Sequence, residues 1–134
     1  MGLNDTLKGL VDTVDGALGC AVVDVSSGLV LGVHHTVPYF TQAYLDAVAA
    51  AAVEVFRGST VRTVEKLLAT QRGDHEVNYI QEIQMTTENT LHFMCIVPGK
   101  KNALAVLITN KNANLGMGWA ALRRTLTEVA PHCP

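Results

Sequence analysis

The sequence predicts an α/β chain of the α+β type: one five-stranded antiparallel sheet with helices on both faces, in the order α-β-β-α-β-β-β-α. Three observations carry that expectation. Valine-rich runs of strand length alternate with glycine-containing polar turns. Two of those runs, Leu91 to Val97 and Ala103 to Thr109, are apolar on both faces, as strands covered on two sides must be. Between the first two strands and the last three lies a helix that is apolar almost all round. With 134 residues there is room for one domain with a real core, so residues 1–134 are read as a single unit.

The first helix is read from Asn4 to Leu18, where Leu7, Leu10, Val11, Val14 and Leu18 fall at spacings of three and four. Asn4 or Asp5 suits its N-cap, and Gly19 can end it. Cys20 to Val25 and Leu29 to His34 then form a hairpin about Ser26-Ser27-Gly28, with Gly28 free to take positive φ at the turn.

Pro38 closes this region and Thr41 is placed to cap the middle helix, which runs to Phe56. From Ala43 to Phe56 its only charges are Asp46 and Glu54, eight residues apart on the face of Ala50 and, roughly, Arg57. A helix so apolar is covered on more than one side, and four consecutive alanines let a second body approach closely. After Gly58 the helical pattern resumes from Ser59 to Leu68, with Val61, Val64, Leu67 and Leu68 as its apolar stripe. Gln71 to His75 reads as a polar loop.

Val77 to Thr86 alternates polar and apolar residues and reads as a ten-residue edge strand, an open template for pairing with another chain. Its polar side carries Asn78, Ile80, Glu82 and Gln84. The two apolar strands follow as central strands. Asn114 caps a last helix to about Val129, with Leu115, Trp119, Leu122 and Leu126 inward and Pro131 as its stop.

Composition narrows the function classes. Net charge is -2, and no basic stripe with interleaved aromatics exists, so no nucleic-acid partner is indicated. The longest apolar run, Ala47 to Val53, falls far short of the roughly 20 residues of a membrane helix. Asp5, Lys8 and Asp12 interrupt the N-terminal apolar residues, so no signal peptide and no membrane insertion are expected. The odd, widely spaced set Cys20, Cys95 and Cys133 argues against a disulfide framework and for a cytoplasmic setting. Charged residues make up 16% of the chain against about 25% in typical soluble domains, while 49% are hydrophobic. A small domain with so little charge is expected to cover apolar surface with another chain.

Chemical motifs are weak. Gly99-Lys100-Lys101 lacks the second glycine and the hydroxyl residue of a phosphate loop, and Gly116-Met117-Gly118 lacks the dinucleotide-binding arrangement. Ser26 and Ser27 have no base beside them. His34 and His35, adjacent on a strand, point to opposite faces, and His132-Cys133 is at most an adventitious metal pair. No catalytic residue, metal site or cofactor is read from the chain.

Several of these patterns together resemble the Roadblock (dynein light chain) family, bacterial and archaeal type. They are the helix ending before Leu18-Gly19, Ala21-Val22-Val23-Asp24 with Ser27-Gly28-Leu29-Val30-Leu31, and the alanine-rich helix Ala47 to Val55. The strand Val77 to Met85, the strand Leu104-Ala105-Val106-Leu107 and the helix entry Asn114-Leu115-Gly116 complete the likeness. The resemblance implies a Roadblock/profilin-like sheet with the terminal helices on one face and the middle helix on the other. It also implies an obligate homodimer through the edge strand and middle helix, acting as a non-enzymatic platform for a small Ras-like GTPase. The contacting residues would then include Tyr44, Asp46, Val48, Ala51, Glu54 and Arg57. Two alternatives stand beside it: a subunit of a larger assembly without a GTPase partner, and a small-molecule sensor or enzyme, which needs a pocket with converging polar groups.

Overall fold

The computed structural model describes residues 2–73 and 80–134. Helix α1 spans Leu3–Thr13, strand β1 Ala17–Asp24, β2 Leu29–His35, helix α2 Gln42–Arg57 and helix α3 Ser59–Arg72. Strands β3 (Glu82–Thr86), β4 (Thr90–Ile96) and β5 (Ala103–Asn110) follow, then α4 (Leu115–Val129) and a 3-10 turn, Ala130–His132. The five strands form one antiparallel sheet in the order β2-β1-β5-β4-β3. The apolar run Ala103 to Thr109 is its central strand, as expected.

Each face of the sheet has its own core. Leu7, Leu10 and Val11 of α1 and Leu122 and Leu126 of α4 meet Val22, Phe93, Ala105 and Leu107 on one side. Leu45, Ala52 and Phe56 of α2 meet Met94, Ile96, Leu104, Val106 and Ile108 on the other. Alternate residues of β5 therefore serve opposite cores, which is why that strand shows no polar face. The terminal helices lie on one face and the middle helix on the other.

Local chemistry sets the boundaries. Helix α1 stops at Thr13, earlier than its apolar spacing suggests, because Gly16 takes φ +83° and turns the chain into β1. Leu18 is thus a strand residue. The N-cap is Gly2, whose N–H donates to the Asp5 carboxylate at 3.3 Å. Asn4 serves elsewhere: its Oδ1 accepts from the Val33 N–H at 2.9 Å and pins α1 to β2. In the hairpin the Asp24 carboxylate accepts from the Ser26 N–H at 2.8 Å and from its hydroxyl, while Gly28 takes φ +78°. Ser26 and Ser27 are turn-forming residues.

Further expectations are corrected. The second helical stretch is a separate helix of 14 residues that runs through Gln71 to Arg72, so the order is α-β-β-α-α-β-β-β-α. Its C-cap Gly73, at φ +73°, stands where a loop was expected. The apolar stripe of α3 does not face the core: Leu67 is 62% exposed, while Glu65 is 2% exposed and accepts from the Ile80 N–H at 3.2 Å. The edge strand has five residues, not ten. Its pairing begins where Glu82 meets Cys95, and just before it the Gln81 carbonyl accepts from the Ile96 N–H. The expectations for Asp74, His75, Val77, Asn78 and Tyr79 lie outside the described residues. Among the described residues no helix is long and apolar enough to cross a membrane.

Candidate functional site

Helix α2 begins where Thr41 Oγ1 accepts from the Tyr44 N–H at 3.2 Å, the cap its sequence calls for. Leu45, Ala49, Ala52 and Phe56 recur every three or four residues and face the sheet. The opposite face is exposed along Ala43, Tyr44, Ala47, Ala50, Ala51, Glu54 and Val55. Apart from Tyr44, Val55 and Glu54 this face carries only methyl groups, so another backbone could lie close to it.

The six residues expected on the middle helix do not share one environment. Tyr44, Asp46, Ala51 and Glu54 are exposed. Tyr44, 37% exposed, stacks on buried Phe40 with ring centroids 4.8 Å apart. That stack fixes the tyrosine ring at the N-terminal end of the face. Phe40 is held in turn by Tyr39, edge-on at 5.3 Å. Asp46 accepts from Gln42 Nε2 at 2.9 Å at the margin of the face. Val48 is half-buried and lines a small apolar cavity against the sheet with Phe40, Leu45 and Val33. At about 20 Å³ that apolar cavity has no room for a metabolite. Arg57 is half-buried, and its guanidinium donates to the Phe56 carbonyl at 3.1 Å and the Lys101 carbonyl at 2.7 Å.

Strand β3 closes one edge of the sheet. Ile80 precedes it and is half-buried; Glu82 and Gln84 lie within it and are exposed. Glu82 receives two hydrogen bonds from Arg123 of α4. Those bonds hold its carboxyl below the usual carboxylate range. No sequence spacing relates residues 82 and 123, so only the fold could reveal this pair. The same holds for the inward turn of Glu65, which periodicity would place outside.

The ionisable groups suit structure better than chemistry. Burial pushes the Cys20 thiol up to about 12 and that of Cys95 to about 11, far from a reactive thiolate. His92, half-buried, is pushed below its ordinary value by burial. Among the described residues no group of three or more His, Cys, Asp or Glu is placed to hold a metal ion.

No protein-family model matches the sequence, and no match is found among curated proteins. Solved structures do match in fold. The Roadblock/LC7 domain from Streptomyces avermitilis is 17% identical, with a TM-score of 0.71 over 98% of both chains. An MglB with a tetrameric arrangement is 20% identical, with a TM-score of 0.75 over 98% of this chain and 87% of its own. The gliding protein MglB from Thermus thermophilus is 19% identical, with a TM-score of 0.73 over the same shares. The chain has the Roadblock/LC7 fold.

Proposed function

We propose that this chain is a non-enzymatic cytoplasmic docking module that works as a homodimer and binds a small Ras-like GTPase, regulating its nucleotide state or its location. The observation that carries the reading is the outer face of α2, where small apolar residues stay exposed on a helix already packed against its own sheet. On this reading two chains pair through α2 and through the sheet edge at Ile80, Glu82 and Gln84. Tyr44, Asp46, Ala51 and Glu54 then form the outward contact surface, with Val48 supporting them from beneath and Arg57 at the helix end. The GTPase as partner comes from the Roadblock resemblance alone.

Pull-down from source lysate with GDP or a GTP analogue, read by mass spectrometry, tests the partner. A small GTPase retained with one nucleotide state supports the regulatory reading. A partner retained regardless of nucleotide supports the second reading, a subunit of a larger assembly. The exposed stripe Val64, Leu67 and Leu68 on α3 favours that alternative, because it is a further apolar surface beyond the face of α2. Light scattering tests the dimer directly: a mass of 14.3 kDa at micromolar concentration would sink it.

A further inference from the structure

The two ends of the sheet are finished differently. Strand β2 is one end strand, seven residues long, with β1 on one side and no strand on the other. The Thr36 N–H donates to the Leu18 carbonyl at 3.1 Å, and the register runs without a shift from Gly19 opposite His35 to Val22 opposite Gly32. Residues 36, 34 and 32 therefore turn their N–H groups toward β1, and Val33 and His35 turn theirs outward. Such an outward row is a template for a strand of another chain.

The first turn of α1 crosses this row at its middle. Asn4 Oδ1 accepts the outward Val33 N–H at 2.9 Å, a bond between residues 29 positions apart. Helix α1 does not use Asn4 as its cap, since Gly2 is the N-cap and its N–H is held by Asp5. Leu3 lies beside Asn4, against Gly32. A Cβ on Gly32 would meet Leu3 Cδ2 at 2.6 Å, Leu3 Cγ at 2.7 Å and Asn4 Oδ1 at 3.0 Å. Gly32 does not take positive φ, so the close approach of α1, and not its backbone conformation, is what a side chain there would prevent. At the other end of the sheet, Glu82 and Gln84 to Thr86 of β3 are exposed, and no described side chain accepts from their N–H groups.

We propose that Leu3 and Asn4 form a strap that shuts the β2 edge against a strand from a second copy of this chain. The closure leaves β3 as the open end of the sheet, in keeping with the dimer proposed above, but it acts within one chain and does not rest on that dimer. The test combines amide hydrogen exchange with sedimentation velocity, on the full chain from micromolar to near-millimolar concentration. In Asn4→Ala the Val33 amide should exchange about fivefold faster or more, the equivalent of one lost hydrogen bond, while β5 stays protected. The same variant should form species larger than any the parent forms at equal concentration. Asn4→Asp keeps an acceptor oxygen in place and should match the parent in both readouts. Gly32→Ala should reproduce Asn4→Ala by pushing Leu3 off the strand; if it fails to fold, the two Asn4 variants still decide. The mass of the parent reports on the dimer and the rise above it reports on the strap, so the two readings fail separately. An unchanged Val33 rate in Asn4→Ala would overturn the proposal. So would faster exchange with the parent's masses at every concentration, since the contact would then be a helix anchor alone, or equal effects of Asn4→Ala and Asn4→Asp.

Discussion

The Arg123 guanidinium grips the Glu82 carboxylate with two parallel hydrogen bonds, Nε to Oε2 at 2.9 Å and Nη2 to Oε1 at 2.7 Å, and ties the edge strand β3 to α4. Arg123 also lies 4.7 Å from the centroid of the Trp119 ring, which stands edge-on to Phe93. The partners are 52% and 37% exposed, so water and salt screen the pair and its effect on global stability is small. Its local effect is larger, because β3 is the end strand of the sheet and pairs with β4 alone. Arg123→Ala should speed amide exchange along β3 while leaving β5 protected, and high salt should mimic part of that effect. Unchanged exchange in β3 would show that pairing with β4 alone orders the strand.

Acid should destabilise the protein in two stages. Burial holds the His92 ring below its ordinary value of 6.5. The unfolded chain therefore takes up that proton first, and the stabilisation, complete above about pH 6.5, is lost as pH falls through the folded value. Glu82, bonded to Arg123, and Asp24, bonded to Ser26, are also held below their ordinary 4.5 and 3.8. Their share survives until about pH 4.5 and is lost below it. His92→Phe should flatten the melting temperature between pH 7 and 5.5 and leave the more acidic stage in place. A variant with the wild-type slope in that window would place the upper stage on another group.

Gly118 of α4 lies directly over Phe93, and a Cβ there would meet the ring's Cζ at 2.6 Å and Cε2 at 2.8 Å. Phe93 is fully buried and braced by Trp119, so it has nowhere to retreat. Gly118→Ala sets an overpacking cost of about 1–3 kcal/mol against a helix-propensity gain of up to about 1 kcal/mol. A net loss of about 1 kcal/mol is expected in urea unfolding, and a stabilised variant would mean that α4 lifts away from the sheet without cost.

Elements that depend on neighbouring residues were legible before the fold was known. Asn114 caps α4 and Thr41 caps α2 as their positions suggest. The unbroken apolar run of β5 announced a strand covered on both faces. Elements that depend on what covers them were not legible. The period of Val61, Val64, Leu67 and Leu68 gives α3 a stripe, yet period cannot say which body lies against it, and Glu65 faces inward instead. The alternation before Glu82 likewise describes a surface without fixing where pairing with β4 starts. In the candidate site, the apolar character of α2 was readable, but Val48 turning toward the sheet and Arg57 binding the β4–β5 turn were not.

The thiols should report unfolding. Cys20, Cys95 and Cys133 are all buried, with the first two pushed up to about 12 and about 11. At pH 8 Cys20 therefore stays a thiol. Native protein should react slowly with a thiol reagent, and all three cysteines should react at once in denaturant. Cys133 is expected to react first, since Lys100 partly offsets the upward push of burial on its thiol. Rapid native labelling of Cys20 would show that β1 separates from its neighbours far below global unfolding.

Ala51→Glu separates folding from association. Ala51 is exposed on α2, so a glutamate there should change the stability of the single chain by no more than about 0.5 kcal/mol. On a surface built of alanines that meets its twin, the same charge would be buried without a partner, at a cost that abolishes pairing. Tyr44→Ala tests the same face but also removes the stack on Phe40, worth about 0.5–1.5 kcal/mol within the chain. Ala51→Glu is therefore the cleaner variant. Light scattering on parent and variant, with melting curves beside it, should show a dimer becoming a single 14.3 kDa chain at nearly unchanged stability. A variant that stays dimeric would move the interface off α2, leaving the open edge of β3 and the stripe of α3 as the surfaces to alter next.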